Sequence, residues 1–76
     1  MKITTVRMIP NNNIYKGIQY NGSNTLEIID FCKFCYTVNN KLIYLNKEVD
    51  KEDWIIKITN DDFILINDIV KNLMFN

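Results

Sequence analysis

At 76 residues the chain has room for one domain, 1–76, and a chain this short buries only roughly 60% of its unfolded surface. Nine lysines and arginines balance nine aspartates and glutamates. That balance excludes both the basic excess of a dedicated nucleic-acid binder and a strongly acidic nucleic-acid mimic. Apolar residues make up 47% of the chain, too many for a disordered segment.

Residues 2–9 predict a first strand, with β-branched Ile3, Thr4, Thr5 and Val6 suited to a pleated surface. Pro10 and three asparagines end it, because asparagine tolerates the left-handed region and bonds its own backbone. Residues 14–20 predict a second strand, with Ile14, Lys16, Ile18 and Tyr20 on one face and Tyr15, Gly17 and Gln19 on the other. After Asn21-Gly22, Ser23 or Asn24 caps a helix running to about residue 34. Its apolar arc is Ile28, Ile29, Phe31, Cys32 and Cys35; Glu27, Asp30 and Lys33 face water. Residues 36–38 and 42–45 form a hairpin through Asn39-Asn40. The mixed charges of 48–53 read as a solvated loop.

Residues 54–58 carry the strongest strand signal, and Trp54 there is expected to anchor the core. A further strand, 63–66, leads to Asn67, which caps a last helix with Asp68 in its first turn. Ile69, Val70, Leu73 and Met74 supply that helix with an apolar stripe. The order is ββαββββα, an α+β fold with two helices on a small antiparallel sheet. Residues 54–58 and 63–66 are apolar on both faces, more than two helices cover. Either the sheet curls towards a barrel or a second subunit, in a homodimer, covers the rest.

The chain lacks histidine, the commonest general base and metal ligand. Its one serine reads as a cap, and two glycines make no phosphate-cradling loop. Cys32-Lys33-Phe34-Cys35 is half a zinc site at most, and reads as two buried thiols packing as small hydrophobes. No catalytic set, metal site or cofactor site is therefore expected. A run of about 18 apolar residues is missing, as is a signal-peptide core, which predicts a cytoplasmic protein away from membranes. Aromatic and arginine side chains carry most interface energy, so Arg7, Tyr15, Lys16, Tyr36 and Tyr44 are the candidate partner-binding residues.

Two stretches carry a resemblance. Residues 18–31 run Ile-Gln-Tyr-Asn-Gly-Ser-Asn-Thr-Leu-Glu-Ile-Ile-Asp-Phe; Asp53-Trp54-Ile55-Ile56-Lys57 is followed by Asp61-Asp62-Phe63 and Asn67-Asp68-Ile69-Val70-Lys71. In order and spacing, over about residues 14–75, this resembles a family of small proteins common in phages of Gram-positive bacteria. Lys51-Glu52 and Asn67 stand where that family has Pro-Gly and a helix proline. The matching positions are caps, turns and core, so the resemblance transfers no functional residue. It implies a phage protein that binds without catalysis and inhibits a host antiphage defence complex, as anti-CRISPR proteins do. A sponge for a cyclic nucleotide signal, a structural or regulatory phage protein, and a small nucleic-acid binder are the alternatives, in that order.

Overall fold

The computed structural model describes residues 3–76. The chain runs β1 (Thr4–Arg7), β2 (Ile14–Gln19), α1 (Thr25–Phe31), β3 (Cys35–Val38), β4 (Lys41–Tyr44), β5 (Lys47–Glu48), β6 (Trp54–Lys57), β7 (Phe63–Ile66) and α2 (Asp68–Met74). The fold is α+β, as the residue pattern predicts, with one more strand and two antiparallel sheets. One has the order β1-β2-β6-β7, the other β3-β4-β5. Among the described residues neither sheet closes into a barrel, and no helix is long and apolar enough to cross a membrane.

The two-faced apolarity of β6 has a direct cause: the four-stranded sheet carries a core on each side. Ile18, Ile55 and Phe63 pack beneath α1 and the small sheet, with Ile28, Cys32, Leu42 and Val49. On the reverse, Val6, Trp54, Ile56 and Phe75 form a second cluster, joined by half-buried Met8, Tyr15 and Ile64. Fully burying one such aliphatic side chain is worth about 1.5–3 kcal/mol, so both clusters matter to a domain of this size.

β2 passes through this sandwich at Gly17, whose strand neighbours are Thr4 and Ile56. A Cβ there would lie 2.6 Å from Ile56 Cδ1 and 3.4 Å from the Ile55 carbonyl oxygen. Ile56 is itself fully buried and has little room to yield. Gly17→Val is therefore expected to lower stability by about 1–3 kcal/mol. A urea midpoint equal to wild type would show that the site accepts the side chain.

Several expected boundaries move. Residue 2, placed in the first strand, lies outside the described residues. The first helix stops at Phe31 instead of near residue 34, because Cys32 takes an extended conformation and turns the chain, with Cys35 N–H donating to its carbonyl at 3.1 Å. Cys35 is thus a strand residue. Ser23 is exposed and Asn24 holds the cap position, but the Asn24 side chain points backwards. It accepts from Asn21 N–H at 2.9 Å and donates to the Gln19 carbonyl at 2.8 Å, tying β2 to α1. Asn67 caps α2 as predicted, accepting from Val70 N–H at 2.8 Å.

The run at 48–53 is not wholly a solvated loop. Glu48 ends β5, and Val49 is 3% exposed in the core. The turn into β5 is Leu45-Asn46, with Leu45 at φ 56°, a place glycine normally fills. Hydrogen bonds from Leu45 N–H to the Phe34 carbonyl and from the Tyr36 hydroxyl to the Leu45 carbonyl hold it there. By contrast, Asn39 and Asn40, at φ 52° and 65°, make the predicted hairpin turn.

The apolar stripe expected on α2 is split: Ile69 and Leu73 face outward while Val70 is half-buried. None of its residues is buried, and Ile69 and Leu73 are 74% and 72% exposed. Three contacts set the helix rotation instead. Trp54 Nε1–H donates to Asp68 Oδ1 at 2.9 Å, the Lys71 ammonium lies 4.6 Å from the indole centre, and Phe75 enters the second cluster.

Candidate functional site

Register sorts the side chains of the four-stranded sheet. Thr5, Lys16, Lys57 and Phe63 stand in one row across β1, β2, β6 and β7, and Arg7 and Ile14 in a row beside it. Alternation along the strands puts both rows on the face that holds Ile18 and Ile55. The α1 and small-sheet layer covers the Ile18, Ile55 and Phe63 part of that face. At the β1 end Thr5, Arg7, Ile14 and Lys16 are exposed, Ile14 at 60%.

Lys16 and Lys57 are therefore direct cross-strand neighbours of like charge, an arrangement that destabilises a sheet by roughly 0.2–1 kcal/mol. Among the described residues the ion pairs are Lys33–Asp61 and Lys41–Glu48. Lys16 and Lys57 stand directly opposite one another, with Arg7 diagonal to Lys16, and none of the three has a described carboxylate in pairing distance.

Lys57 joins this row to a shallow groove of about 530 Å³, lined by Leu26, Ile29, Phe31 and Phe63 with Lys33. Its ammonium lies 5.9 Å from the ring centres of both Phe31 and Phe63, which meet edge to face. Leu26, at the groove's rim, is 80% exposed. At the mouth, the hydrogen bond from Lys33 holds the Asp61 carboxyl below its usual range. The surface is thus part apolar and part cationic, with the Asp30 carboxylate also in the groove lining.

Of the five residues singled out from the sequence, the fold brings Arg7 and Lys16 together on this face. Tyr15 lies on the reverse, its ring edge-on to Phe75 at 6.2 Å. Tyr44 belongs to the small sheet and is half-buried. Its hydroxyl donates to the Phe63 carbonyl at 2.9 Å, joining the two sheets, and burial raises its pKa. Tyr36, also on the small sheet, spends its hydroxyl on the Leu45 turn. Sequence reasoning missed Lys57, Phe31 and Leu26. Lys57 alternates with Ile56 and so had to oppose its neighbour's face, but only the register shows Lys16 beside it.

The thiols of Cys32 and Cys35 are free and buried, 0% and 6% exposed, in the core beneath α1. The Cys35 thiol donates to Cys32 and lowers its pKa to about 7; the same bond, with burial, raises that of Cys35. A buried Cys32 is out of reach of a substrate in this conformation. Among the described residues no group of three or more His, Cys, Asp or Glu side chains is placed to hold a metal ion.

No family model matches the chain, and no curated protein and no solved structure matches it significantly.

Proposed function

We propose that this is a phage-encoded, non-enzymatic binding protein that inhibits a host antiphage defence complex stoichiometrically, in the manner of an anti-CRISPR protein, in the cytoplasm of the host bacterium. The observation that supports it most is the open face with Arg7, Lys16 and Lys57, none paired with a described carboxylate, beside an apolar groove. Like charges kept side by side reduce stability unless something of opposite charge meets them. The phage context rests on the resemblance at residues 18–31 and 53–71, a weaker warrant because it is one of analogy.

Titrating the purified protein against candidate defence nucleases tests the proposal. Inhibition is expected to saturate when protein and target are equimolar. Inhibition far below equimolar amounts would mean turnover, and the reading would be wrong. A second reading, the cyclic-nucleotide sponge, draws on Lys33, Lys57 and the Phe31 ring around one groove. Inhibition relieved by excess signal molecule would favour it.

We propose that the homodimer forms through α2. The outer face of α2 combines Ile69 and Leu73, one turn apart, with uncharged Asn72, so a second copy could pack there without like-charge repulsion. Sedimentation should show mass rising with concentration, and Leu73→Lys should hold the protein monomeric. A wild-type monomer at high micromolar concentration would exclude the dimer.

A further inference from the structure

We infer that the open sheet face receives an acidic polypeptide segment, which seats one apolar side chain in the Phe31–Phe63 groove and sets its carboxylates against Lys57, Lys16 and Arg7. The inference rests on the reading of the chain as a binding protein and names the chemistry of its partner.

Charge complementarity carries the argument. The face offers Lys16 and Lys57 directly opposite one another on β2 and β6 and Arg7 diagonal to Lys16 on β1, none with a described carboxylate in pairing distance. An anionic partner would turn the repulsion between Lys16 and Lys57 into a shared attraction. Such contacts work mainly by steering and selecting the partner.

The groove decides which anion. A single-stranded nucleic acid needs open aromatic faces on which bases stack, along a continuous basic track. Here Phe63 is only 8% exposed, and the Lys57 ammonium lies near the rings of both Phe63 and Phe31. The rest of the lining is Leu26, Ile29, Asn60 and Lys33, whose ammonium is paired with Asp61, and Asp30 adds a negative charge that would repel a phosphate backbone. An uncharged apolar side chain fits beside Asp30, so the segment's carboxylates belong on the Lys16 and Arg7 side of Lys57, and its apolar anchor in the groove. The distance also suits a peptide. From β7 to β1 are three strand spacings, about 14 Å, which on the order of five extended residues would cross. Such a segment has room for one apolar anchor and two or three carboxylates.

Titration of isotope-labelled protein, followed through its backbone amide shifts, tests this. The probes are a short peptide of alternating glutamate and leucine with one phenylalanine, and a thymidine oligonucleotide of similar length. The peptide is expected to give saturable shifts at Arg7, Ile14, Lys16, Lys57 and the groove residues. The double variant Lys16→Gln, Lys57→Gln, with its fold checked by circular dichroism, should bind roughly twofold to thirtyfold more weakly, as loss of two exposed charge pairs implies. Lys47→Gln, on the small sheet, should bind as wild type does. In the titration, three outcomes overturn the inference: no saturable shift, shifts centred on α2 or the small sheet, or tighter binding of the oligonucleotide at the same face. Inhibition of a defence complex is read separately. Undiminished inhibition by the double variant refutes the acidic segment and leaves the inhibitor standing. Peptide binding without inhibition of any complex does the reverse.

Discussion

Trp54→Ala is expected to lower stability by about 3–5 kcal/mol. The indole is 8% exposed, opposes Gln19 and Ile66 across its two neighbouring strands, and belongs to the cluster with Val6, Ile56 and Phe75. Its N–H also anchors α2 through Asp68, and the Lys71 ammonium lies over its ring. Truncation would open a cavity in the second core and release the helix start at the same time. At the usual per-residue value, 76 residues command only roughly 4–11 kcal/mol, so the loss removes from about a quarter of that stability to all of it. Urea unfolding followed by far-ultraviolet circular dichroism measures the change. A loss within about 0.5 kcal/mol, the range of an ordinary surface substitution, would contradict the core role.

Phe75→Ala is expected to have an effect of similar size, about 3–5 kcal/mol. Phe75 is 1% exposed, bridges to Met8 and meets Tyr15 edge to face. Next to it, Arg7 and Asn76 exchange two backbone hydrogen bonds, at 3.1 and 2.7 Å, so the segment after α2 adds a short rung to the outer edge of β1. Because α2 buries none of its own residues, Phe75 and the Trp54–Asp68 bond are its main attachments. Amide exchange within 68–74 should therefore accelerate more than exchange in β2 or β6. Equal protection of α2 in variant and wild type would show that the helix is held by something else.

Much of the local structure was legible because its causes are local. Asn39-Asn40 make a turn because asparagine accepts positive φ, and Asn67 caps α2 because its side chain reaches a nearby N–H. The turn at Leu45 was not legible, since leucine carries no preference for positive φ. What holds it there is Phe34 and Tyr36, ten or so residues upstream. Hence β5 was missed, and Val49 was read as part of a solvated loop.

The candidate site divides in the same way. Arg7 and Lys16 could be chosen by residue type, and with them Tyr15, Tyr36 and Tyr44. Which of the five share a surface depends on pairing. Tyr15 lies on the reverse face, Tyr36 and Tyr44 on another sheet, while Lys57, forty-one positions beyond Lys16, stands beside it.

By itself the sequence determined an α+β chain of short antiparallel strands, a buried Trp54, two core thiols and the caps and turns that asparagine makes. These follow from side-chain size, polarity and backbone preference, which act over a few residues. Only the tertiary structure decided that the strands split into two sheets, that α2 turns Ile69 and Leu73 outward, and that three cations gather on an open face. Periodicity marks which residues of a helix or strand share a side, but not which side finds a partner. Here the Trp54–Asp68 bond and the Phe75 anchor turn Ile69 and Leu73 of α2 outward, and strand register brings Lys16 and Lys57 together.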